Sequence, residues 1–167
     1  MTLVFLDTET TGLDPRLHSV WEIAYAVNDG PIRSSFVAHS PEHADPTALK
    51  LNGYLTRFKG EPLLGLNFEA NLRADLAGAT LVGANPRFDA AFLEARWGDA
   101  PWHYRLWDIE AYAAGVLNLP SLLGLKDLYA YFNRDNAGIP APNHTAAGDV
   151  ATTRAIFHRL RMANLSG

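Results

Sequence analysis

Apolar and polar positions fall into short blocks along the first forty residues. Thr2 to Leu6 is an apolar run that ends in Asp7, which predicts a buried strand. Thr11-Gly12-Leu13-Asp14-Pro15 has the composition of a turn. From Val20 to Val27, Trp21, Ile23, Tyr25 and Val27 alternate with Glu22, Ala24 and Ala26, a period of two that predicts a second strand. Asn28-Asp29-Gly30 then marks a tight hairpin, and Ile32 to Ala38 is the returning strand. These three segments predict an antiparallel meander.

The period then changes. Ser40 to Leu64 reads as irregular around Pro41, Pro46 and Pro62, with a short helix near Thr47 to Leu51. Phe68, Leu72 and Leu76 stand at helical spacing and Gly78 stops that helix. Ala79 to Gly83 is a short buried strand, Pro86 opens a helix that runs to Trp97, and Tyr104 to Trp107 is a further strand. Helices are expected at 109–117, 121–132 and 145–162. In the last, Ala146, Val150, Thr153, Phe157 and Leu160 form the inner stripe. Strands first and strand–helix alternation afterwards give an α/β sheet with an antiparallel and a parallel part.

The length of 167 residues with 48% hydrophobic positions fits one domain with a real core. Lys and Arg number 14 against 18 Asp and Glu, a net charge of −4, which excludes a generally basic nucleic-acid coat but not a local basic path. The absence of cysteine excludes disulfide scaffolds, Cys-ligated zinc, iron–sulfur clusters and thiol nucleophiles. No apolar run approaches the ~18 residues of a membrane span, and no basic region precedes the first apolar stretch as in a secretory signal. A cytoplasmic location, away from membranes, is the expectation.

Candidate chemistry concentrates on carboxylates. Asp7 and Glu9 are two residues apart in an extended segment, so they leave the same face and can converge on one cation. On the pair alone, a strand running into a polar turn is the plainer reading. Asp89 follows the strand 79–83, at the end where parallel sheets place ligands, and comes near Asp7 if the two strands are neighbours. An Asp in a first helical turn also suits the helix dipole. Asp149 lies at the edge of the inner stripe at the head of the last helix. His144, five residues earlier, would point about 140° away if both were helical. It shares a site with Asp149 only from the preceding loop, which Asn143, Pro140 and Pro142 favour.

The segment Phe5-Leu6-Asp7-Thr8-Glu9-Thr10-Thr11-Gly12-Leu13 resembles the first motif of the DEDDh 3′→5′ exonucleases, the family of the polymerase III proofreading subunit, ribonuclease T and oligoribonuclease. Asn85-Pro86-Arg87-Phe88-Asp89 is similar to the second, and His144-x-Ala146-x-x-Asp149 to the third. They occur in the family order, 82 positions from Asp7 to Asp89 and 60 from Asp89 to Asp149. Val20-Trp21-Glu22-Ile23-Ala24 resembles the family's second strand and Ala48-Leu49-Lys50-Leu51-Asn52-Gly53 its connecting helix. Ala84 stands where the family often has His.

The resemblance implies a single exonuclease domain over residues 1–167 with a ribonuclease H-like mixed sheet flanked by helices. It implies two Mg²⁺ ions, for which Mn²⁺ can substitute. Asp7 would bridge both, Glu9 and Asp149 would complete the first, and Asp89 would hold the second through water. His144 would be the general base. Thr10, Thr11 and Gly12 would offer backbone amides to the terminal nucleotide of a nucleic-acid 3′ end, Asn85 would join the substrate site, and Leu13 would wedge against the base. Core packing is the alternative for Leu13 and for Phe88, a candidate base-stacking ring. The Trp97–Trp107 stretch, with Arg96 and Arg105, reads as core or partner contact before nucleic-acid surface. Arg154, Arg159 and Arg161 suit either the dipole at a helix C-terminus or a phosphate backbone.

The function implied is release of nucleoside 5′-monophosphates, with single-stranded DNA preferred and RNA the alternative, since discrimination rests on one 2′-hydroxyl. A stand-alone role in repair, phage replication or RNA processing is expected over that of a proofreading subunit. A non-catalytic nucleic-acid-binding module on the same fold is the alternative of a different class. The third-motif histidine speaks against an RNase H-like endonuclease. Neither a homodimer nor a polymerase partner is readable.

Overall fold

The computed structural model describes residues 1–60, 67–135 and 138–165, with the side chains of 135, 164 and 165 outside the description. The expectation of irregular chain at 61–64, Pro62 included, lies outside the described residues. The strands are β1 (Leu3–Thr10), β2 (Val20–Val27), β3 (Arg33–Phe36), β4 (Thr80–Gly83) and β5 (Trp107–Asp108), in the spatial order β3-β2-β1-β4-β5. β1 pairs antiparallel with β2 and β2 with β3, while β1–β4 and β4–β5 are parallel. The helices are α1 (Pro46–Leu51), α2 (Tyr54–Arg57), α3 (Phe68–Leu76), α4 (Pro86–Trp97), α5 (Ile109–Val116), α6 (Leu125–Phe132) and α7 (Ala146–Leu165). A 3-10 turn covers Asn133–Asp135.

Alternation along the central strands sorts the core into two layers. Leu3, Phe5, Ala24, Ala26 and Val82 meet Ile109, Ala113, Leu128, Val150, Ile156, Phe157 and Leu160 on the side of α5, α6 and α7. Val4, Leu6, Ile23, Tyr25 and Leu81 meet Leu72, Leu76, Ala90, Phe92, Leu93 and Trp102 on the side of α3 and α4. Successive residues of a strand face opposite sides, so a sheet covered by helices on both faces is apolar at nearly every position. The small Ala24 and Ala26, both fully buried, let α7 lie close against β2. The inner stripe expected on α7 is buried throughout: Ala146, Val150, Thr153, Phe157 and Leu160.

Several boundaries differ from the sequence expectation. β1 continues past Leu6 to Thr10 because its ladder to β2 does, from Val4 opposite Val27 to Thr10 opposite Val20. The first two carboxylates therefore lie inside a strand and not beyond it. β3 is confined to four partly exposed residues at the sheet edge, and β5 is a two-residue parallel pairing with β4. α6 begins at Leu125, after a coil around Pro120, and the short α2 was not expected from the sequence. The tryptophans 97, 102 and 107 pack inward: Trp97 on Trp102, and Trp107 on Tyr112 and Phe157. Among the described residues no helix is long and apolar enough to cross a membrane.

Candidate active site

The parity of the strands decides which acids meet. Asp7 and Glu9 continue the Leu3–Phe5 side of β1 and emerge under the head of α7. There Asp149, in the first turn of that helix, completes a group whose three carboxylate oxygens lie within 4.8 Å of one another. Thr8 and Thr10 continue the opposite side. Asp89, in the first turn of α4, arrives on that side and accepts from the Thr8 amide (2.9 Å) and the Thr8 hydroxyl (2.7 Å). Asp89 is thus pinned to the strand carrying Asp7 and Glu9 but approaches from the other layer.

The electrostatics follow from burial and like charge. Desolvation first, then the neighbouring Asp89, Asp149, Glu9 and Glu22, hold the Asp7 carboxyl well above the usual range. Burial, with Asp149 and Glu22 nearby, pushes Glu9 up to about 8, against opposing effects from Arg57 and a hydrogen bond with Asn52. Burial also raises Asp89, to about 7, although its bonds from Thr8 favour the charged form. Asp149 is raised by burial, with partial relief from the Asn143 amide and from His144. Acids that repel one another in a dry corner are relieved by a cation. The donor set is wholly carboxylate oxygen, which suits a hard divalent ion such as Mg²⁺.

His144 stands in the loop before α7, exposed, with φ +54°. The loop is knotted by its own polar groups. The Asn143 amide donates to the Asp149 carboxylate (3.0 Å), and Asn143 Oδ1 accepts from the Thr145 amide and hydroxyl. The Thr145 hydroxyl in turn accepts from the Gly148 amide (3.0 Å), and the Asp149 amide donates to the Thr145 carbonyl. A methyl group on Gly148 would strike the Asn143 side-chain amide, which would have to give up its place beside Thr145.

The turn after β1 is equally tied. The Thr10 hydroxyl donates to the Gly12 carbonyl (2.7 Å), and the Thr11 amide to the Ser19 carbonyl (2.8 Å), so the Thr11 N–H already has a partner within the chain. Gly12 passes under the His18 ring, which a Cβ at that position would strike. Leu13 is 75% exposed, which sets aside core packing as its role. Asn85, exposed and left-handed at φ +53°, leads into Pro86 at the start of α4. Phe88 is half-buried and packs on Phe92 at 4.8 Å.

Four polar residues around the site were given no site role from the sequence: Glu22, Asn52, Arg57 and Asn143. Asn52 is buried, and its side-chain amide donates to the Thr10 carbonyl (2.9 Å). Glu22 lies directly across the ladder from Glu9 and is paired with Arg57 at 2.5 Å. One signal for Glu22 was present: it is a charge at the parity of Ala24 and Ala26, in a strand otherwise free of charge.

Comparison with solved structures finds this architecture in nucleases. E. coli exonuclease I in complex with a dA16 oligonucleotide superposes with a TM-score of 0.71 at 21% identity, over 99% of this chain and 42% of that one. The zinc ion bound form of an E. coli exonuclease I–ssDNA complex gives 0.68 at 22%, over 99% and 43%. A moderately thermophilic exonuclease I from Methylocaldum szegediense gives 0.65 at 20%, over 96% and 40%. The fold is shared with exonuclease I. This chain spans about two fifths of the length of those proteins. No family model and no curated protein sequence matches it. The ribonuclease H-like mixed sheet implied by the three motifs is therefore the fold observed.

Proposed function

We propose that residues 1–167 form a metal-dependent 3′→5′ exonuclease domain acting on single-stranded DNA in the cytoplasm and releasing nucleoside 5′-monophosphates. The observation that carries this reading is the convergence of Asp7, Glu9 and Asp149 within 4.8 Å, beside a loop histidine and a pinned fourth acid. Support comes from the fold shared with exonuclease I, whose solved complexes hold dT13 and dA16 oligonucleotides.

Asp7, Glu9 and Asp149 would hold one divalent ion in this reading, and Asp89, with Asp7, a second. Bound Mg²⁺ or Mn²⁺ would offset the negative charge of the phosphate and stabilise the attacking and leaving oxygens of an in-line displacement. The protein's own residues do the rest. His144, exposed beside Asp149, accepts a proton from the attacking water, a role for which an imidazole is suited near neutral pH. The water oxygen bonds to phosphorus, the bond from phosphorus to the 3′-oxygen of the preceding nucleotide breaks, and that oxygen takes a proton from solvent water. Leu13, projecting from the turn after β1, packs on the terminal base, and Gly12 with the Thr10 turn lines the path of the sugar–phosphate.

The test uses matched 5′-labelled single-stranded DNA and RNA with Mg²⁺, Mn²⁺ or EDTA. A metal-dependent ladder shortening from the 3′ end, faster on DNA, is the expected outcome. A faster ladder on RNA would replace the substrate with RNA, and intact polymers with bound metal would remove the catalytic reading.

A further inference from the structure

Beside the site and outside its ligand set lies the charged pair Glu22–Arg57. Glu22 is 5% exposed and lies on the α7 side of β2, opposite Glu9. An acid buried in a sheet is costly unless it is paired and hydrogen-bonded. Both of its oxygens are used: Oε1 accepts from Arg57 Nη2 at 2.5 Å, and Oε2 from the backbone N–H of Ala146, the first residue of α7, at 3.3 Å. Arg57, from α2, also donates through Nη1 to the carbonyl of His144 at 3.2 Å and to that of Asn52 at 3.1 Å. Its guanidinium lies 5.0 Å from the Trp21 ring centroid, within cation–π range. One ion pair therefore grips the chain on both sides of Thr145, at the carbonyl of His144 and the amide of Ala146.

The segment so gripped needs holding. His144 is left-handed at φ +54°, a conformation that a residue with a Cβ keeps only when its surroundings enforce it. We propose that the Glu22–Arg57 pair is a positioning device for His144: it fixes the backbone on either side of Thr145 and so presents the imidazole beside Asp149.

This inference rests on the exonuclease reading for its kinetic arm only. Arg57→Met keeps the stem over Trp21 and removes both donations; Arg57→Lys restores a cation without the planar fork. Because a lone Glu22 left in the sheet is destabilising, the charge-balanced double variant Glu22→Gln/Arg57→Met is measured beside them. With 3′-labelled DNA, kcat is expected to fall about 30- to 100-fold in Arg57→Met and in the double variant, with KM and Mn²⁺ affinity within about twofold of wild type. Arg57→Lys should recover about a third of that loss on a logarithmic scale. In a His144→Ala background Arg57→Met should cost less than about threefold more, since the pair acts through the histidine. A full further loss in that background, or an unchanged kcat in a folded Arg57→Met, overturns the proposal.

A second readout does not depend on turnover. Mn²⁺ at the carboxylates should broaden the His144 ring resonances in the NMR spectrum of the wild type, and much less in Arg57→Met at equal Mn²⁺ occupancy. Equal broadening overturns the proposal. Wild-type protein that binds Mn²⁺ but leaves DNA intact would instead remove the exonuclease reading, and the broadening would still decide the role of the pair.

Discussion

The two ends of α7 rest on the same sheet and do opposite things. At its head, Ala146 and Asp149 meet β1 and β2 where Asp7, Glu9 and Glu22 crowd together, and each of Asp7, Glu9 and Asp149 is held above its ordinary pKa by burial and like charge. Further along, Phe157 sits edge-on to Phe5 at 5.2 Å and to Trp107 at 5.1 Å, and His158 pairs with Asp29 in an exposed bridge. The aromatic end contributes stability. The acidic end withdraws it, and the polar knot of Asn143, Thr145, Glu22 and Arg57 holds the withdrawn part in shape. Local arrangements that oppose folding are expected where a protein keeps a functional site.

The sharpest way to break this contrast is Asp7→Asn. The substitution keeps shape and removes one of the repelling charges. Activity on single-stranded DNA with saturating Mg²⁺ should fall by about 10³-fold or more, the several kcal/mol that a correctly held metal supplies to the transition state. Metal-free melting should move the other way, with Tm above wild type. A variant that lost activity and melted lower would place Asp7 in the stabilising half of the molecule.

Phe157→Ala tests the other half. Removing a fully buried ring that touches Phe5, Trp107 and Tyr112 should cost about 3–5 kcal/mol in denaturant unfolding. Mn²⁺ affinity of the folded fraction should stay within a factor of about two, because the ring has no contact with the carboxylates.

These regions were not equally legible in the sequence. Apolar periodicity reported the five expected residues of the α7 stripe, all of which are buried, but left out Ile156 and Thr152, which are buried as well. It also paired Asp7 with Glu9, because a strand's period of two leaves no other choice. It could not report that Asp89 comes from the opposite layer and is held by Thr8, since that depends on which helix covers which face. Arg57 was illegible for a different reason. The four-residue α2 has too few positions to show a period, and its partners Glu22 and His144 are 35 and 87 residues away. Glu22 looked like an ordinary polar position in an alternating strand until both faces of that strand proved to be buried.

The pH dependence of stability sharpens the comparison further. The acids at the head of α7 are raised in the folded protein, so they bind protons there that the unfolded chain has released. Unfolding free energy then falls as pH rises. Without metal, the stability these groups allow is fully present below the ordinary carboxylate range near ~4. It is lost as pH climbs to about 8, the value to which Glu9 is pushed. Thermal melts in EDTA from pH 4 to 9 should show Tm declining by several degrees through that window, and saturating Mg²⁺ should remove most of the decline by binding the ionised form. A flat profile in EDTA would mean that the four acids do not share one low-dielectric corner.

The smallest effect is expected at the aromatic end's own ion pair. His158 and Asp29 meet at 2.8 Å, but their side chains are 46% and 82% exposed. Water and salt screen such a pair, and holding two side chains together offsets much of the remaining attraction. Asp29→Asn keeps the hairpin residue's size and its tolerance for turns while removing the charge. Melting should change by less than about 2 °C, and activity on single-stranded DNA should be unaltered. The contrast with Glu22–Arg57 is then one of burial and connectivity. Both are single ion pairs anchored on β2 or the hairpin that follows it, but only the buried one is tied to the backbone that carries His144. Should Asp29→Asn shift Tm or activity as much as Arg57→Met does, the division of labour along α7 would have to be abandoned.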